Sequence, residues 1–312
     1  MRRLTLCATL VPMLALATPA AAQERAPAPA PPEGEQLPFL DAADRMTVPV
    51  RIAGAGPFPF VIDTGAQRTV ISRELARTLG LGNGRTVRVT AMTSTSTVAT
   101  VVIPSISVST LGGTAIEAPA LAAHDLGALG MLGLDALQGH ALSIDFEKRV
   151  MTVTPAQRRP TRLRSEPGEI VVRAKSLMGQ LVVTDAHCGG VRVRVVLDTG
   201  TSVSIGNEAL RRRVMRSGPP GEPVVLTDVT GVAMTAPYGA IRSVRLGRAV
   251  FNRLPIAFAD APPFHRLGLD DRPAIMLGMD ALQLFRRVDI DFANHQIRLL
   301  LPRDTQTTVD PG

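Results

Sequence analysis

Phe60-Val61-Ile62-Asp63-Thr64-Gly65-Ala66 is written a second time 135 residues later, as Val195-Val196-Leu197-Asp198-Thr199-Gly200-Thr201. A single Asp-Thr-Gly is an ordinary turn tripeptide, in which Asp bonds its own backbone and Gly supplies a positive φ. Two copies, each entered from an apolar strand, carry a different meaning. Each half of the chain offers one carboxylate in the same local setting.

The repetition continues on both sides of the tripeptides. Val48-Pro49-Val50-Arg51-Ile52 with Gly54-Ala55-Gly56 leads into Asp63, and Leu181-Val182-Val183 with Gly189-Gly190 leads into Asp198. Each reads as a β-hairpin feeding its aspartate. Ser72 and Asn207 both stand nine residues after their aspartates and precede the short helical runs Glu74-Leu75-Ala76-Arg77 and Glu208-Ala209-Leu210-Arg211, so both are expected N-caps. Met131-Leu132-Gly133 and Met276-Leu277-Gly278 follow, with Gly133 and Gly278 standing 70 and 80 residues after the respective aspartates. Ile144-Asp145-Phe146 and Ile290-Asp291-Phe292 then open a last hairpin in each half. Four ordered blocks, each repeated, mean duplication.

With these residues the chain resembles a retropepsin-like, pepsin-superfamily aspartyl protease, with both lobes fused in one chain as in bacterial secreted members. The family pattern is apolar-apolar-Asp-Thr/Ser-Gly, a flap hairpin, then apolar-apolar-Gly. The resemblance covers roughly residues 45–302. It implies an all-β fold of two lobes related by a pseudo-twofold axis, with few short helices and a cleft between the lobes. It also implies an aspartic endopeptidase in which Asp63 and Asp198 activate a water against a peptide bond, without metal or cofactor. The supporting loops are Thr64, Gly65 and Ala66 with Thr199, Gly200 and Thr201. Thr64 and Thr199 would donate hydroxyls to the opposite lobe's backbone, Gly65 and Gly200 would leave room where the loops meet, and Gly133 and Gly278 would lie beneath them. In the family a hydroxyl after Asp-Thr-Gly donates to the outer oxygen of its own aspartate. Only Thr201 can do so here, which makes Asp198 the expected ionised member. A catalytically silent exported protein that binds peptides on the same fold is the alternative, and the intact pair of Asp-Thr-Gly loops weighs against it.

Flap hairpins are expected between each aspartate and its later Gly. In the first half, Thr86-Val87-Arg88-Val89-Thr90 and Val98-Ala99-Thr100-Val101-Val102-Ile103 flank a polar break at Thr93-Ser94-Thr95-Ser96-Thr97, making Ser94, Thr95 and Ser96 flap candidates. In the second half, Val224-Val225-Leu226-Thr227 and Ala240-Ile241-Arg242-Ser243-Val244 flank a break around Gly231. The pepsin pattern carries a tyrosine on the first-lobe flap. Here the one tyrosine, Tyr238, stands beside the second break instead.

The chain begins with Met1-Arg2-Arg3, an apolar run from Leu4 to Ala17, and Ala20-Ala21-Ala22, which reads as a secretory signal over residues 1–22. Residues 23–40 form a Pro/Ala-rich tether, expected to be extended and unpacked. The lobes are placed at 41–154 and 169–303, with an interlobe linker at 155–168 and a tail at 304–312. The expected destination is the periplasm or the medium, with no membrane partner once the signal is removed. Without the signal, Cys188 is the only cysteine, so no intramolecular disulfide is available to an exported protein.

Setting Arg2 and Arg3 aside leaves 32 basic against 27 acidic residues, a net charge of +5. The excess clusters at Arg158-Arg159-Pro160-Thr161-Arg162-Leu163-Arg164 and at Arg211-Arg212-Arg213, one in the linker and one on a helix. With one tyrosine and no tryptophan there are no stacking platforms, so nucleic acid is not an expected partner. Asp135 and Asp280 read as N-caps of Ala-Leu helical turns, and Asp145 and Asp291 as acceptors for nearby backbone. The five histidines are scattered, and His187-Cys188 is half a metal site at most, so no metal is expected. The expected partner is a protein or peptide substrate. Because the duplication places both carboxylates in one chain, a monomer is expected.

Overall fold

Ala55–Ile62 grows more buried as it approaches Asp63, until Phe60, Val61 and Ile62 are all enclosed. A strand loses its polar–apolar alternation when both faces are covered, which is why this stretch reads as an unbroken apolar run. Its cover within the sheet is Gly130–Leu132, a parallel neighbour with Phe60 opposite Gly130 and Ile62 opposite Leu132. Gly130–Leu132 in turn lies antiparallel to Val70–Ser72, the strand that leaves the aspartate loop. The second half repeats the arrangement: Val191–Leu197 runs parallel to Ala274–Leu277, which lies antiparallel to Ile205–Gly206. In each half the apolar-apolar-Gly strand is thus inserted between the strands entering and leaving the aspartate loop.

These observations come from a computed structural model that describes residues 36–38, 40–42, 45–108, 111–113, 115–137, 139–156, 166–215 and 222–303. The proposed signal, the tether up to residue 35, residues 157–165 of the linker and the tail from 304 lie outside the described residues. Within the stretch assigned to the tether, Gln36–Pro38 is a strand on the edge of Val150–Pro155, and Leu40–Ala42 pairs with Arg45–Ile52.

The fold is all-β, as the resemblance implied: a 10-stranded sheet in the first half, a 12-stranded sheet that carries the second, and one separate hairpin. The six helices among the described residues have four to seven residues each. None is long and apolar enough to cross a membrane. Ser72 and Asn207 cap the helices Arg73–Thr78 and Glu208–Val214, accepting Leu75 N–H at 3.1 Å and Leu210 N–H at 3.0 Å.

The twofold relation is written in one register. His140–Asp145 pairs antiparallel with Arg287–Asp291, with Ala141 opposite Asp291, Asp145 opposite Arg287, and Ser143 opposite Asp289 at the centre. Ser143 and Asp289 hold equivalent places in the repeat, each two residues before the Asp of Ile-Asp-Phe, so the pseudo-axis passes between them. Asp145 and Asp291 close these strands and accept backbone N–H groups from Lys148 at 2.8 Å and Asn294 at 2.9 Å.

The first flap is a hairpin of Asn83–Thr90 and Thr95–Ile103. Its turn spans 91–94, so Thr95 and Ser96 belong to the returning strand rather than the break. In the second flap Val224–Thr227 pairs with Ala233–Ala236. The expected return strand, Ala240–Val244, lies instead within Tyr238–Leu246, which pairs with Ala249–Phe258. Alternation identifies a strand and says nothing of its partner, and the four residues of Ala233–Ala236 are too short and too small to announce themselves.

Candidate active site

The two aspartate loops face each other and are tied by a reciprocal set of hydrogen bonds. Thr64 Oγ1 donates to Leu197 O at 2.9 Å and accepts Thr199 N–H at 3.2 Å, while Thr199 Oγ1 donates to Ile62 O at 2.8 Å and accepts Thr64 N–H at 3.1 Å. Both threonines are buried, so every bond is made in a low-dielectric environment where leaving a partner unmet is costly. The loops therefore have one arrangement relative to each other.

Glycine at positions 65 and 200 is required by the opposing side chain. A Cβ on Gly65 would lie 2.6 Å from Asp198 Cγ, and one on Gly200 would lie 2.2 Å from Asp63 Cγ. The room these glycines leave is filled by the other lobe's carboxylate, not by its backbone. Gly133 and Gly278 serve the loops from below. A Cβ there would lie 2.4 Å from the Arg68 carbonyl carbon and 2.8 Å from that of Val203.

Asp63 Oδ1 accepts the N–H groups of Gly65 at 2.7 Å and Ala66 at 2.8 Å, and Asp198 Oδ1 accepts that of Gly200 at 2.9 Å. Asp63 is 9% exposed and Asp198 4%. Burial first, and then the neighbouring Asp63 charge and a hydrogen bond with the Asp63 side chain, push the Asp198 carboxyl well above its ordinary range. The N–H groups of Gly200 and Thr201 pull the other way and lose. Asp198 is thus pushed toward its neutral form, against the expectation drawn from Thr201 that it is the more readily ionised member. The Thr201 hydroxyl is turned away from its aspartate and donates to Val203 O at 3.1 Å.

Asp135 and Asp280 are not N-caps. Both sit inside their short helices, Leu134–Leu137 and Met279–Leu282. Asp135 Oδ1 accepts the Thr69 N–H at 2.8 Å and its hydroxyl at 2.7 Å, while Asp280 accepts the Ser204 N–H at 3.0 Å and its hydroxyl at 2.6 Å. Thr69 Oγ1 then accepts Gly133 N–H at 3.2 Å, and Ser204 Oγ accepts Gly278 N–H at 3.0 Å. Each aspartate thus braces the far end of its Asp-Thr-Gly loop against the Gly strand. The sequence carried a sign of this, because a hydroxyl stands six residues after each catalytic-pair candidate and an Asp stands two after each Gly.

A cleft of about 560 Å³ opens at the two carboxylates. Val70 and Met131 line it from the first lobe, and Ile205 and Met276 from the second. Gln180 also lines it and reaches across to donate to Gly65 O. At one side Gln67 donates to Met178 O at 3.2 Å and accepts from Arg266, linking the first loop to the second lobe.

Of the flap candidates, Ser94 and Gly231 stand at the two tips, which meet through Thr93, Asp228 and Thr230. Thr95 and Ser96 lie in the strand behind the first tip. Tyr238 begins Tyr238–Leu246 and packs, half-buried, with the second lobe's core. Asp228 went unread in the sequence, although Asp-Val-Thr-Gly at 228–231 is the composition of an Asx turn. Among the described residues no group of three or more His, Cys, Asp or Glu could hold a metal ion. Cys188 is buried, and burial pushes its thiol up to about 11.

No curated protein matches the sequence. The aspartyl protease family pattern matches residues 48–136, which hold Asp63 and Gly133, and residues 184–281, which hold Asp198 and Gly278. With one segment in each lobe and more than half of its 312 residues matched, the chain belongs to the aspartyl protease family.

Proposed function

We propose that the protein is an exported, monomeric aspartic endopeptidase that hydrolyses peptide bonds of protein substrates with the Asp63/Asp198 pair. The observation that carries this reading is the buried contact of two carboxylates, one from each repeat, with burial and the Asp63 charge pushing Asp198 toward its neutral form. Two ionised carboxylates at this range repel, so the pair keeps one proton and titrates as a unit. Asp63, charged, takes a proton from a water, which attacks the peptide carbonyl carbon, while Asp198 gives its proton to the carbonyl oxygen. The resulting gem-diol collapses as Asp63 passes its proton to the leaving nitrogen and one diol hydroxyl returns a proton to Asp198. All atoms balance, and the pair regains its starting state.

The flanking walls favour an extended peptide with apolar side chains next to the cut bond, since Val70, Met131, Ile205 and Met276 face the cleft. The apolar run and Ala-x-Ala pattern at residues 1–22 support export to the periplasm or the medium. Incubating the full chain with a mixed peptide library, with and without pepstatin, tests the activity. Asp63→Asn and Asp198→Asn should each cut the rate by about a thousandfold or more, because neither carboxyl can be acid and base in one step. Retention of more than about a tenth of the rate by either variant would overturn the pair. Peptide binding without cleavage by the unmutated chain would point to the silent binding protein instead.

A further inference from the structure

The two flap tips are joined over the cleft, and one carboxylate does the joining. Asp228, on the second-lobe flap, is 4% exposed. Its Oδ1 organises its own turn, accepting Thr230 N–H at 2.8 Å, Thr230 Oγ1 at 2.6 Å and Val232 N–H at 3.3 Å. Its Oδ2 takes the first-lobe tip, accepting Thr93 Oγ1 at 2.6 Å, Ser94 Oγ at 2.8 Å and Thr93 N–H at 3.3 Å. Ser94 Oγ also lies 3.0 Å from Thr230 Oγ1, and Thr93 Oγ1 lies 2.8 Å from Val232 O.

The tips also exchange their apolar residues. Met92, from the first-lobe flap, packs against the second-lobe cluster of Val182, Val196 and Ile205. Val229, from the second-lobe flap, packs against the first-lobe cluster of Val61, Val70 and Met131. Each tip has therefore crossed to the other lobe. The strands and turns behind them, from Val87 to Met92 and from Val225 to Val229, line the cleft that holds Asp63 and Asp198.

We infer that Asp228 is a positioning residue for the reaction: its carboxylate clasps the first-lobe flap at Thr93 and Ser94, and this clasp must open to admit a peptide and close again over it. This rests on the endopeptidase reading for its use, though not for its existence. A peptide is a chain with no free way under a joined roof, so at least the Oδ2 bonds have to break for entry. Hydroxyl and N–H bonds to a carboxylate are the stronger kind, and buried ones are not replaced cheaply by water. Asp228 is suited to hold in acid. Burial alone would raise its pKa, but the hydroxyls of Thr230, Thr93 and Ser94 and the Thr230 N–H outweigh burial and hold it below the ordinary range. Asp125 of the first lobe also faces this tip: its Oδ1 would lie 2.7 Å from a Cβ on Gly231, and it lies 3.0 Å from His124 Nε2.

Amide hydrogen exchange of the full chain tests the clasp without requiring any substrate. In Asp228→Ala, exchange at Thr93, Thr230 and Val232 should speed up by about tenfold or more, with Asp228→Asn between it and the parent. Amides of Ala55–Ile62 and Val191–Leu197 should keep their protection, which separates an opened clasp from a damaged fold. A Thr93→Val, Ser94→Ala double variant removes the two hydroxyl bonds to Oδ2 from the other lobe, leaving the Thr93 N–H in place, and should loosen Thr230 and Val232 in the same direction. With a cleaved peptide in hand, KM should rise about tenfold in Asp228→Ala, kcat should change much less, and Asn should restore part of the loss. Tip amides as protected in Asp228→Ala and in the double variant as in the parent would overturn the inference. If the parent cleaves nothing, the endopeptidase reading fails while the exchange result still decides the clasp.

Discussion

Asp198 fixes the sign of one pH dependence. Burial and Asp63 raise its folded-state pKa above the ordinary value of 3.8, so between 3.8 and the raised value the folded chain binds a proton that the unfolded chain has lost. Its contribution to stability is then complete below pH 3.8 and is lost as pH rises through the folded-state value. Asp198→Asn removes the titration and the repulsion together. It should leave stability unchanged near pH 3.5 and raise it near pH 7 by about 1–3 kcal/mol, several degrees in Tm. Thermal melts of parent and variant at the two pH values check this, and a gain as large at pH 3.5 as at pH 7 would contradict it. At this same scale the sequence was partly misread. The two aspartates, the threonines and the glycines stood out because each is repeated in a chemically restrictive tripeptide. The Thr201 hydroxyl turns to Val203 O instead of its own aspartate, and a side-chain rotation leaves no trace in residue order.

The brace behind each aspartate loop belongs to the scale of elements. Short helical turns at Leu134–Leu137 and Met279–Leu282 put Asp135 and Asp280 where they grip Thr69 and Ser204, both fully buried. The N-cap reading failed because an Asp before Ala-Leu fits a cap by composition, whereas its tertiary acceptor role comes from a residue 66 or 76 positions away. Ser72 and Asn207 were legible because an N-cap is a local rule with its partner three residues on. Asp280→Ala would leave the Ser204 N–H and hydroxyl without an acceptor inside the protein, which costs about 2–4 kcal/mol in total. Asp280→Asn, keeping one acceptor, should cost about half as much. Urea unfolding measures the difference, and equal stability of the Ala variant and the parent would show that the brace carries no weight. The flaps show the same limit of local reading: the hairpins were visible in the alternation, and their joining through Asp228 was not, because it spans 135 positions.

At the scale of the whole molecule, duplication showed two like halves before any strand was placed, since four ordered blocks each occur twice. The sheet at the axis makes the same point physically. Two equivalent strands, His140–Asp145 and Arg287–Asp291, pair with each other, and Ser143 donates to Asp289 at 2.5 Å where they cross. Arg287 holds Asp289 at 3.2 Å and Glu166 at 2.8 Å, and Arg286 reaches the same Glu166 at 3.1 Å. In a symmetric homodimer such a sheet would be assembled from two chains and would come apart on dilution, taking one aspartate with each half. Here both strands, both Asp-Thr-Gly loops and both flaps belong to one chain, so on the proposed monomeric reading association contributes nothing to the site. Specific activity should therefore stay constant as the enzyme is diluted from about 10 µM to about 10 nM, with sedimentation showing a single-chain species throughout. A fall in specific activity that tracks the loss of a dimer would mean that a second copy completes the cleft, and the monomeric reading would have to be abandoned.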